Sequence, residues 1–96
     1  MAADVDDGFF ARADAHIDLA NDQLREVERG KVSASMMYAV ARFNAWVSAC
    51  GFRSAEQMRE ARGETVVYFT EQYRKMLEEN LDDYIGSFDR YMGRGG

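Results

Sequence analysis

KVSASMMYAVARFNAWVSAC, residues Lys31–Cys50, decides how this chain is read. From Met36 to Cys50 every residue is apolar or small except Arg42, Asn44 and Ser48. Within it Met36, Val40, Phe43, Val47 and Cys50 advance in steps of four and three, the period of a helix face. Ala39, Ala41 and Trp46 fill the flanks. A helix that is apolar nearly all round needs cover on several sides. The charged segments before and after it read as one-sided helices able to supply that cover. Ser33 is placed to cap this helix, with Val32 and Met37 at staple positions, and Gly51 to stop it.

Outward from this stretch, the first helix is expected from Asp6 or Asp7 to Arg29. Asp6 would cap it, Val5 and Phe10 would staple it, and Gly30 would form a left-handed stop. Its stripe is Phe9, Ala13, Ile17, Ala20, Leu24 and Val27, and Asp14, Asp18 and Asp22 lie on the other side. The third helix opens with Ser54-Ala-Glu-Gln57, a capping box. Its stripe runs through Met58, Val66, Phe69, Tyr73, Leu77, Leu81, Tyr84, Phe88 and Tyr91, with Gly63 as the expected kink. Glu71 with Lys75, Arg74 with Glu78 and Lys75 with Glu79 have ion-pair spacing.

The expected fold is thus all-α. It is one domain built as a three-helix antiparallel bundle over residues 7–29, 34–50 and 55–92, with a frayed tail at 93–96. At 1.5 Å per residue the third helix would span roughly 57 Å and the second about 25 Å. A stripe that outruns its partners must fold back or find another chain. Together with the surplus apolar surface of the second helix, this leads us to expect a helical homo-oligomer, a homodimer or larger.

Composition supports the class and excludes several functions. The 96 residues contain no proline, and 47% are hydrophobic. That suits one helical domain. Seventeen acidic residues against twelve basic ones give a formal charge of −5. An acidic chain without a Lys/Arg run lacks the basic face that nucleic acid requires. Met36–Phe52 is the nearest approach to a membrane span, but Arg42 and Asn44 at its centre oppose it. The acidic start MAADVDDGFF has no signal-peptide pattern. One cysteine, Cys50, allows no internal disulfide. A soluble cytoplasmic protein is expected. No cofactor motif is present.

Four stretches carry a family resemblance: RADAHIDLANDQ at 12–23, RGKVSAS at 29–35, YAVARFNAW at 38–46 and YFTEQYRKMLEENLDDYI at 68–85. They resemble a family of small bacterial proteins known as domain of unknown function 3144. RFNA at Arg42–Ala45 and EENLDDY at Glu78–Tyr84 are its most specific wording. The likeness runs roughly from Phe9 to Met92. It implies a compact helical bacterial protein and assigns no catalytic residue.

The candidate site residues are Arg42, Asn44, His16 and Trp46. Arg42 and Asn44 read as a buried polar pair that fixes helix register. Asp14, Asp18 or Glu71 would be the carboxylate that a buried arginine needs. The competing reading is a ligand pocket beside Arg42 and Trp46. His16, the single histidine, reads as a helix-edge residue. Three residues before it stands Ala13, not the glutamate of a helical di-iron motif, and zinc needs more His or Cys ligands. A symmetric oligomer pooling His16 copies is the one metal route it leaves. Cys50 reads as a buried, inert thiol. Tyr68, Tyr73, Tyr84 and Tyr91 read as core and interface.

Glu78, Glu79, Asp82 and Asp83 form the densest acidic cluster. Glu79-x-x-Asp82 matches half of the Mg²⁺ site of helical nucleotide pyrophosphatases. Only Glu60 and Glu64 offer anything like the other half. The reading taken is a non-enzymatic interaction or regulatory module with an unidentified protein partner. The alternative is a metal-assisted nucleotide or phosphate-ester hydrolase using that cluster.

Overall fold

A computed structural model describes residues 5–93, and every element in it is an α-helix. There are five: α1 (Phe9–Gln23), α2 (Arg29–Ala49), α3 (Ala55–Glu60), α4 (Arg62–Gly86) and α5 (Phe88–Met92). They divide between two compact units, Met1–Arg53 and Ser54–Gly96. The all-helical class agrees with the sequence. The limits of the helices do not, and each shift has a local cause.

In the first unit, α1 begins at Phe9 rather than at Asp6 or Asp7. Gly8 is its N-cap, and no side chain caps it. The Asp6 carbonyl accepts from the Phe9 N–H at 3.1 Å. Its carboxylate turns instead to the Arg12 guanidinium, 2.8 Å away. A charged partner in reach displaces the weaker capping bond. Phe10 is exposed and meets Phe9 edge-on, with centroids 5.0 Å apart, so the expected staple does not hold it. Gly30 does not stop α1. The helix ends at Gln23, and Glu28 adopts an extended backbone at φ −70°, ψ 150°. Its carbonyl accepts from Lys31 at 3.0 Å and Val32 at 3.2 Å, which starts α2 at Arg29. Gly30 and Ser33 therefore lie inside α2, which begins five residues ahead of the expected residue 34. Val32 is buried, 6% exposed, and is the one buried apolar residue among those described. α1 packs against α2 in this unit. At its far end α2 closes with tight turns, Gly51 N–H to Ser48 C=O at 3.0 Å and Phe52 N–H to Ala49 C=O at 3.1 Å.

In the second unit, the expected 55–92 helix is three helices. Ser54, extended at φ −156°, ψ 160°, accepts the Gln57 N–H on its hydroxyl at 3.2 Å. This is the N-cap the capping-box motif specifies. Replacing Ser54 by Ala is expected to remove about 1 kcal/mol, read as a lowered melting temperature with unchanged helix content at low temperature. An unchanged melting temperature would show that the cap holds nothing. The break falls at Ala61 (φ −93°, ψ 1°), two residues before Gly63, which sits in the first turn of α4. The Ala61 carbonyl accepts both the N–H and the hydroxyl of Thr65, each at 2.9 Å, and that pair of hydrogen bonds starts the new helix there. A second break at Ser87 (φ −128°, ψ 37°) separates α5. Gly93, at φ 69°, then supplies the left-handed residue on which the chain leaves α5. The rest of the expected tail, 94–96, lies outside the described residues.

α3 and α5 each pack on α4. The α5 contact is specific. The Tyr91 hydroxyl donates to Asp83 Oδ2 at 2.7 Å, and the rings of Tyr84 and Tyr91 stack with centroids 4.5 Å apart. Along α4, Arg74 bonds Glu71 through Nε at 3.1 Å and through a second, shorter contact, and reaches Glu78 at 2.8 Å. Only Arg74–Glu78 of the three expected pairs forms. Arg74 takes Glu71 at i−3 in place of Lys75, which acts on Glu71 only through space.

Candidate interaction surface

α2 positions the candidate residues. Tyr38, Arg42 and Trp46 recur every four residues, and with Ala39, Phe43 and Ala45 they line an open depression along one side of the helix. Its wall is aromatic. Phe43 and Trp46 approach with centroids 5.6 Å apart at 41°. The three rings face solvent: Tyr38 is 69% exposed, Phe43 61% and Trp46 62%.

The expected buried pair is absent. Arg42 is exposed, and Asn44 is half-buried. Among the described residues of its own unit Arg42 makes no ion pair, so neither Asp14 nor Asp18 serves it. The reason is that α1 reaches α2 without enclosing it, and the guanidinium keeps its water. His16, on α1, is exposed as well. The structure brings Arg42 and Trp46 into one surface and leaves His16 outside it. Cys50 is exposed rather than buried, at the end of α2.

Of the acidic cluster on α4, Glu78 is held by Arg74 and Asp83 accepts from Tyr91. No group of three or more His, Cys, Asp or Glu side chains among the described residues is arranged to hold a metal ion. Hydrogen bonding from Arg74 holds Glu71 below the ordinary carboxylate range, and bonding from Arg12 does the same to Asp6. Both pairs are therefore intact at neutral pH and are lost only as pH falls through those lowered values. The hydrogen bond to Asp83 pushes the Tyr91 hydroxyl up, since a phenolate beside a carboxylate is disfavoured.

Two features escaped the sequence. Tyr38 and Phe43 belong with Arg42 and Trp46; the 38–42–46 spacing was the signal for Tyr38, and the i, i+3 step from Phe43 to Trp46 that for Phe43. The Tyr91–Asp83 bond spans eight residues across a helix break, a separation that no regular helix period marks.

Similar open faces recur elsewhere. Among the described residues, 24 large apolar side chains are at least 41% exposed. On α4 these include Val66, Tyr73, Met76, Leu77, Leu81 and Tyr84. No helix among the described residues is long and apolar enough to cross a membrane.

The chain is similar to the protein NB7890A from Shewanella sp., known from an NMR structure, at 40% identity and a TM-score of 0.77. The match covers 96% of this chain and 98% of that one. No curated protein matches the chain. The family described as "Protein of unknown function (DUF3144)" matches residues 9–85, most of both units. The chain belongs to that family.

Proposed function

We propose that this protein is a cytoplasmic, self-associating helical module whose work is interaction rather than catalysis. One observation carries the reading. A single apolar residue is buried among those described, against 24 large ones left open. Soluble monomers rarely expose apolar surface in long contiguous runs, and such runs mark sites of association. Burial is also the main favourable contribution to folding, so a small chain gains stability by sharing its core with a copy of itself. A reducing compartment suits the exposed thiol of Cys50.

Size-exclusion chromatography with light scattering tests this. The expected mass at micromolar concentration is a whole multiple, two or more, of the 10.9 kDa chain. A steady 10.9 kDa across that range would overturn the reading.

A further inference from the structure

The aromatic side of α2 has an electrostatic requirement that its own unit leaves unmet. Arg42 stands amid Tyr38, Phe43 and Trp46. Any apolar cover laid on that side strips water from the guanidinium, which then requires a carboxylate. α2 itself carries Arg29, Lys31 and Arg42 and no acidic residue. Elsewhere in the first unit, Asp6, Asp22 and Glu28 are engaged by Arg12, Arg25 and Lys31, and Asp7, Asp14, Asp18 and Glu26 form no ion pair with Arg42 in the folded unit.

The complementary surface is on α4. Residues 76–86 contain Glu78, Glu79, Asp82 and Asp83 and no cation. Met76 and Asp83 are seven residues apart and so share one side of the helix, and Glu79 lies one turn before Asp83. The carboxylate edge thus borders the exposed apolar stripe through Met76, Leu77 and Tyr84.

Two quantities point to a second copy as the source of that helix. First, Val40 (48% exposed) and Tyr38 lie about 160° apart around α2, at 100° per residue. One helix covers only one of two such faces, and each chain carries a single further long helix, α4. Second, the exposed parts of Tyr38, Phe43 and Trp46 offer roughly 400 Å² at ~200 Å² per ring, about half of the ~800 Å² each partner gives to a standard interface. In a two-fold dimer every chain contributes both surfaces, its α2 side and its α4 stripe, which supplies the other half.

We infer that the Tyr38–Arg42–Trp46 side of α2 docks on the α4 stripe of a second copy, with Arg42 facing Glu79 and Asp83. This rests on the self-association proposed above. The single tryptophan makes it testable. As the full chain is concentrated from nanomolar to tens of micromolar, Trp46 emission should move to the blue in step with the mass. Arg42→Glu should raise the dissociation constant at least tenfold, and adding Glu79→Arg to it should recover most of the loss. Arg42→Gln, milder at this exposed position, should weaken assembly less and reduce its salt dependence.

A monomeric wild-type chain overturns the self-association reading and this one with it. An oligomer whose Trp46 emission stays at its water-exposed position overturns this inference alone, as does an Arg42→Glu chain that assembles normally. Blue emission from chain that its mass shows to be monomeric means that the chain covers the face itself, and it also overturns the inference.

Discussion

Replacing Val32 by Asp is expected to unfold the first unit. Among the described residues Val32, 6% exposed, is the one buried apolar side chain, and it lies in the first turn of α2. Two losses combine. Burial of the valine side chain, about 1.5–3 kcal/mol, disappears. A carboxylate then sits where it has no partner, which costs several kcal/mol more unless it drives the helices apart. Together these approach the whole stability of a small domain, about 5–15 kcal/mol. Val32→Ala should lose only about 2 kcal/mol, within the range for truncating a buried aliphatic residue. Val67→Asp, at a position 66% exposed, should change stability by no more than ~0.5 kcal/mol. Hydrogen exchange separates the three. In Val32→Asp the amides of α1 and the start of α2 should exchange at open-chain rates, while the alanine variant keeps partial protection. Full protection in the aspartate variant would mean that α1 and α2 are held by something other than this contact.

The second large effect is expected at Phe43, and it should appear in assembly rather than in helix content. Phe43 is 61% exposed in the single chain, so Phe43→Asp removes little that the first unit buries. Its cost there is one of helix propensity and lies within ~0.7 kcal/mol. In a self-associated form the same ring is an aromatic anchor, and losing such an anchor costs about 2 kcal/mol or more, some 30-fold in the dissociation constant. Sedimentation velocity on matched concentrations of wild type and variant reads this directly. The expected pattern is a lighter species with an unchanged far-ultraviolet circular dichroism spectrum. A variant that loses helix yet stays assembled would show that Phe43 serves the fold of the chain and not its association.

These two residues show why exposure was so hard to read from the chain. Val32 and Phe43 are both apolar members of one helix, and nothing in their spacing ranks them. One is buried and the other open because Val32 lies on the partly covered face that Met36, Asn44 and Ser48 continue, and Phe43 lies off that face. Arg42 shows the same thing from the polar side. Among apolar neighbours in sequence it reads as buried and paired. In the folded chain it stays in water, since the helix that would enclose it is not supplied by its own unit.

The sequence by itself determined what is local. The absence of proline, the helical period of the apolar residues and the Ser54–Gln57 cap specify helices, because each acts within about four residues along the backbone. The family wording at Arg42–Ala45 and Glu78–Tyr84 was likewise legible, and residues 9–85 bear it out. Helix limits were less so. Glu28 and Ala61 bound helices where Gly30 and Gly63 were the stronger local signals, and Ser87 breaks a helix expected to run on to residue 92. Particular bonds favour the breaks chosen, such as Thr65 onto the Ala61 carbonyl and Tyr91 onto Asp83. Only the tertiary structure decided which apolar side chains are covered. Burial depends on what lies opposite a side chain, and in this protein most of the surface that Lys31–Cys50 presents has nothing of its own unit opposite it.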